Sequence, residues 1–127
     1  MPLTCPACAS GTLSIECSLE LPPDARSDEI SVQIVGCGAC GFRGVGIYQE
    51  SRRGALDDES VDHVCYAATP EALTKVRGLM RRCPKPRSAT CACASHKALA
   101  VVTRFAERQE AFPGVEWDRP RGISFTR

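Results

Sequence analysis

The chain has 127 residues, 43% of them hydrophobic but only four Phe, two Tyr and one Trp, with a formal net charge of +1; this allows one modest domain or two very small ones and excludes a second large catalytic domain. Nine cysteines approach the density at which cross-links or metal ions take over from an apolar core. The charge is uneven: residues 1–71 hold eleven acids and four bases, residues 72–104 hold eight bases and no acid, and residues 105–127 balance at four each.

No basic segment precedes an apolar run at Met1-Pro2-Leu3-Thr4-Cys5-Pro6, and the longest purely apolar stretches, Val64 to Ala68 and Ala98 to Val102, are five residues each. Spanning a bilayer takes about 20 residues. The expectation is a soluble, cytoplasmic protein that does not engage membranes, in which close-set cysteines are metal ligands rather than disulfides. An odd cysteine count agrees.

Cys5-Pro6-Ala7-Cys8 and Cys37-Gly38-Ala39-Cys40 are two C-x-x-C pairs with 28 residues between them. Each is a tight turn that aims two sulfurs at one point, and four thiolates satisfy tetrahedral zinc. Gly36, Gly38 and Gly41 are expected to supply positive-φ positions in the second turn. Between the pairs, Leu13, Ile15, Cys17, Leu19 and Leu21 alternate with polar residues as a strand with one buried face, which places Cys17 inward. Pro22-Pro23 breaks that strand; Ile30, Val32 and Ile34 form a returning one, and Val45 and Ile47 a third. Knuckle, strand, strand, knuckle, strand is the layout of an antiparallel β zinc ribbon, assigned to residues 1–49.

Cys5-Pro6-x-Cys8, a long hairpin and then Cys37-x-x-Cys40-Gly41-Phe42-Arg43 resemble the ZPR-type zinc finger. The resemblance spans about residues 5–49 and does not extend to the larger β domain that follows the finger in that family. It implies zinc held in a ribbon; the translation elongation factor that members of the family bind does not carry over, because that β domain has no counterpart here.

Residues 50–68 are read as a linker to a small basic helical module at residues 69–112, which makes the fold class α+β. Thr69-Pro70-Glu71 caps and starts a helix running to about residue 83, with Ala72, Leu73, Val76, Leu79 and Met80 on one arc. Cys83, Cys91, Cys93 and His96 follow as C-x7-C-x-C-x2-H, a donor set for a second closed zinc site. His63 and Cys65 form another close pair that competes for these positions. An iron–sulfur cluster here is the rival reading, although the ferredoxin spacings are not present. From Ser95, apolar residues including Leu99, Val102 and Phe105 predict a second helix ending near Pro113-Gly114. The tail, residues 113–127, reads as irregular and docked through Trp117 and Phe125.

An enzyme is not assembled by these motifs. A catalytic zinc needs an open position and a nearby acid or base, and the chain has no H-E-x-x-H, no deaminase H-x-E, no phosphate-binding G-x-x-x-x-G-K and no serine nucleophile elbow. Thiol redox chemistry at a C-x-x-C pair is an alternative class, but both pairs lie in matching turns beside strands. Lys75, Arg77, Arg81, Arg82, Lys85, Arg87 and Lys97, with Arg52 and Arg53, make a basic face for phosphates, so the expected function is an adaptor that binds nucleic acid or a protein. The competing account of these charges is internal neutralisation by Glu16, Glu20, Asp24, Asp28 and Glu29.

Overall fold

A computed structural model describes residues 3–24, 27–51 and 60–125. Four long antiparallel strands follow one another, β2 (Leu13–Leu21), β3 (Glu29–Cys37), β4 (Arg43–Ser51) and β5 (Ser60–Ala67), preceded by the two-residue β1 (Leu3–Thr4). The helices come next: α1 (Pro70–Arg82), α2 (Ala94–Leu99), a 3-10 turn over Ala100–Thr103 and α3 (Phe105–Ala111). Two short strands, β6 (Arg121–Gly122) and β7 (Ser124–Phe125), end the chain. The class is α+β.

The strand order β6-β5-β4-β3-β2-β1-β7 puts consecutive tail segments at opposite edges of the sheet. β6 pairs with β5 while β7 pairs with β1, and Ile123 N–H between them donates to His63 O at 2.8 Å. The sheet therefore curls back on itself, closing at the level of Leu3, Leu13 and Cys65.

Each face of the curl has its own core. Outside, Leu19, Leu21, Val32, Ile34, Val45 and Ile47 pack under Leu73, Val76, Met80, Leu99, Val102 and Trp117 from the helical half of the chain. Inside, Leu3, Cys5, Leu13, Val35, Cys65 and Ile123 fill the closed end. Strand β3 is thus buried on both faces, as a central strand must be.

A bulge lets β2 serve both cores. Ile15 pairs with Val35 and Cys17 with Ile34, so Glu16 is an extra residue and the side-chain alternation changes face. Leu13 points into the closed end, whereas Leu19 and Leu21 point at the helices. An uninterrupted alternation placed Ile15 and Cys17 on one buried face; instead Ile15 is 44% exposed, and Cys17 is half-buried against the helix-side core.

Three further expectations are corrected. Residues 60–67 of the supposed linker form β5, paired along its whole length with β4, because Val64 and Tyr66 pack on the helix side and Cys65 in the closed end; residues 52–59, with Arg52 and Arg53, lie outside the described residues. The ribbon and the helices share one core, so they are not separate modules. The second helix is broken by the 3-10 turn and an extended Arg104, where the β-branched run Val101-Val102-Thr103 disfavours a continuous helix and Phe105 is left 56% exposed.

Helix α1 matches its sequence signals: the Thr69 hydroxyl accepts from Ala72 N–H, Pro70 occupies the first turn, and Ala72, Leu73, Val76 and Met80 are buried. In the tail, Trp117 is buried and donates through Nε1 to Phe112 O, but the segment is strand-forming at its end rather than irregular. The Phe125 side chain lies outside the described residues.

The curl depends on a bare backbone at Gly44. A Cβ there would lie 2.4 Å from Tyr66 O on the paired strand. Gly44→Ala is expected to lower stability by about 1–3 kcal/mol, measured by urea denaturation of the metal-loaded protein; a midpoint equal to that of the wild type would contradict a close approach of β4 and β5.

Candidate metal centres

The two knuckles repeat one backbone turn. Ala9 N–H donates to Cys5 O at 2.9 Å and Gly41 N–H to Cys37 O at 3.1 Å, while Ala7 and Ala39 N–H groups point at the Cys5 and Cys37 sulfurs, each at 3.4 Å. The residue after each pair is left-handed, Ala9 at φ 64° and Gly41 at φ 78°. Of the three glycines expected to need that conformation, Gly41 alone adopts it.

Strand pairing of β2 with β3 brings the knuckles together, and the ligand atoms of Cys5, Cys8, Cys37 and Cys40 lie within 4.8 Å of one another. Cys5 and Cys40 sulfurs are 3.7 Å apart, as are those of Cys8 and Cys37. A zinc tetrahedron with bonds of about 2.3 Å has sulfur–sulfur edges of about 3.8 Å, so these two pairs stand at the spacing of tetrahedron edges and well beyond disulfide length. This group can hold a metal ion.

Two hydroxyls that the sequence reading overlooked complete this site. Thr12 Oγ1 lies 3.0 Å from Cys37 Sγ and Ser10 Oγ 3.0 Å from Cys8 Sγ. The Thr12 hydroxyl, followed by backbone N–H groups, lowers the Cys37 thiol to about 5, and Ser10 lowers Cys8. Stabilised thiolates are what a metal takes. The signal available was Ser10-Gly11-Thr12, hydroxyls placed directly after the first knuckle.

The second group forms where α1 ends and α2 begins. Cys83 is the C-cap of α1 and Cys93 the N-cap of α2, whose sulfur accepts from His96 N–H. Cys83, Cys91, Cys93 and His96 have their ligand atoms within 4.8 Å of one another, with His96 Nδ1 3.1 Å from Cys83 Sγ and 3.4 Å from Cys93 Sγ. Cys83 and Cys91 sulfurs are 3.9 Å apart. The His96 backbone N–H first, and its ring second, lower the Cys93 thiol to about 6.

His96 is oriented from the sheet. Its Nε2 lies 2.9 Å from Glu20 O, so Nε2–H donates to that carbonyl and the Nδ1 lone pair is left facing the thiols. Glu20 N–H in turn donates to Pro86 O at 2.7 Å. The loop of the second cluster therefore takes over the edge of β2 beyond β1.

His63 and Cys65 join neither group. Both lie on the inner face of β5, across the sheet from the helices: Cys65 is sealed in the closed end, where burial pushes its thiol up to about 11, and His63 Nε2 is 2.7 Å from Gln33 Oε1. The candidate phosphate-binding residues divide. Lys75 reaches Ala111 O and the Phe112 ring, Arg77 pairs with Glu16 at 3.1 Å, and Arg87 lies beside Glu20. Arg81, Arg82 and Lys85 are exposed and pair with no carboxylate among the described residues.

The chain matches no protein-family model, no curated protein and no solved structure. Among the described residues, no helix is long and apolar enough to cross a membrane.

Each donor set offers four protein ligands, the number that would close a tetrahedral shell around a metal ion. Elemental analysis is expected to give two metal ions per chain for the wild type and one for Cys37→Ser; retention of two ions by that variant would contradict four-thiol ligation at the knuckles. Separately, burial lowers the His63 pKa, so the folded chain binds fewer protons than the unfolded chain over that interval, and this contribution to stability is lost as the pH falls through the folded value. NMR titration of the His63 ring is expected to show a midpoint below the usual ~6.5; a midpoint at or above it would contradict the buried setting.

Proposed function

We propose that the protein is a non-catalytic zinc protein, a ribbon and a helical cap each closed by one structural ion, that serves as a binding module for nucleic acid or for a protein in a transcription or translation assembly. The carrying observation is that eight ligand atoms converge into two groups, four thiols in one and three thiols with an imidazole in the other. Thiolate-rich sets of this kind suit zinc, and their closed shells suit structure rather than catalysis. The likeness of residues 5–49 to the ZPR-type finger supports the ribbon reading.

Phosphate contact falls to Arg81, Arg82 and Lys85, with the exposed Arg87 beside Glu20, since Lys75 and Arg77 are engaged by groups of the chain itself. The first three cations lie around the end of α1, next to the second cluster, so an ion there would fix the surface that carries them. A zinc-bound chain is the form that binds.

The test combines metal counting with binding. Purified protein is expected to hold two zinc ions and show no visible absorbance; iron with sulfide would overturn zinc at the second cluster. In fluorescence anisotropy with short single-stranded and duplex oligonucleotides, Arg81→Glu with Arg82→Glu is expected to weaken binding about tenfold and to lower the slope of log K against log salt by about 1–2. Unchanged affinity with unchanged zinc content would transfer the role to a protein partner.

A further inference from the structure

Halfway along the inner face of the curl, the chemistry changes. Toward the closed end that face is apolar, with Leu13, Val35, Cys65 and Ile123. Toward the other end the same strands present Ser31, Gln33, Tyr48, Glu50 and His63, which the register places side by side: Ser31 opposite Tyr48, Tyr48 opposite His63, Glu29 opposite Glu50. Ser31, Gln33 and Glu50 are 4%, 6% and 8% exposed. Polar side chains at such depth cost desolvation, and the fold has no need of them where Val or Leu would fill the space.

The cause of the opening is topological. The tail closes the sheet through Leu3, Thr4, Val64 and Cys65 alone, so beyond that level the inner face is left uncovered by β1, β6 and β7. A cavity of about 370 Å³ results. That is within the range of small-molecule sites, which combine apolar walls with a few converging polar groups.

We infer that this cavity binds a small organic cation, an amine or guanidinium with an apolar portion, independently of whatever the basic face contacts. Glu20 and Glu29 line one wall and supply the counter-charge. Glu20 stands opposite Ser31 in the strand register, and Arg87 borders the same two carboxylates from outside the cavity.

The floor is rigid. The His63 ring is fixed by Gln33 at 2.7 Å and meets the Tyr48 ring edge-on at 5.5 Å between centroids, while the Tyr48 hydroxyl donates to Glu50 at 2.9 Å. Tyr48 therefore offers an aromatic wall near a carboxylate, the pairing that favours ammonium and guanidinium groups. Leu3 and the 44%-exposed Ile15 form the apolar lip against which a hydrocarbon portion would lie. Ile15 owes its position to the β2 bulge.

The experiment titrates zinc-loaded full-length protein with agmatine, read by amide NMR shifts, with succinate as the anionic control. Agmatine is expected to shift the amides of Glu29–Gln33, Tyr48 and His63 saturably, and Glu20→Gln with Glu29→Gln to raise its dissociation constant at least ~10-fold with zinc content unchanged. Glu29→Gln alone, at an exposed position, should weaken binding in the same direction. Three results would overturn the inference: shifts spread evenly over distant acids such as Glu107 and Glu110, a stronger response to succinate at the same amides, or equal affinity in the double variant.

Discussion

The bulge at Glu16 sets the fold, because it decides which of two cores each half of β2 serves. Were Glu16 instead paired in regular alternation, Leu13 and Leu19 would stand on one face, and either the closed end or the helix interface would lose its central leucine. The bulged residue also ties the layers together. Glu16 pairs with Arg43 at the start of β4 and with Arg77 on α1. These partly exposed pairs contribute little energy individually, yet they link the knuckle end of the sheet to the helix that crosses it.

The two cysteine groups sit where the hydrogen-bonded fabric is weakest. One joins the knuckles at the sheet end, where β1 supplies only Leu3 and Thr4 to the pairing. The other holds the loop that covers the β2 edge, through Glu20 N–H to Pro86 O and His96 Nε2 to Glu20 O. Edges are where sheets recruit unwanted partners. Structural zinc in finger peptides contributes roughly 10–16 kcal/mol, comparable to the whole stability of an ordinary domain. A metal at either group would thus offset a thin apolar core at the point where backbone pairing runs out.

Local chemistry was readable from the residues, and long-range closure was not. Thr69-Pro70 announces α1, the alternations announce β2, β3 and β4, and both ligand groups follow from cysteine spacing because turns of two or three residues fix where sulfurs point. Strand β5 was missed because Asp62 and His63 interrupt its apolar pattern: Asp62 is exposed near the start of the strand, and His63 on the inner face is satisfied by Gln33. Barrel-like closure by Arg121–Phe125 leaves no periodic trace, since each strand there is two residues long. The bulge is equally silent, because one inserted residue looks like continued alternation until pairing reveals the change of face.

Charge follows the same division. The acidic first half and basic second half read as two modules, but much of that asymmetry is consumed by docking one on the other: Glu16 takes Arg77, and Glu20 lies beside Arg87. What survives is the residue left by that neutralisation. Arg81, Arg82 and Lys85 remain exposed at the end of α1, and Glu29 remains exposed at the mouth of the inner cavity next to Glu20, which Arg87 offsets only in part. The two surfaces meet at Glu20, whose backbone holds Pro86 and His96 of the second cysteine group while its side chain lines the inner cavity, so the strand edge that the cysteine loop covers is also one wall of the curl.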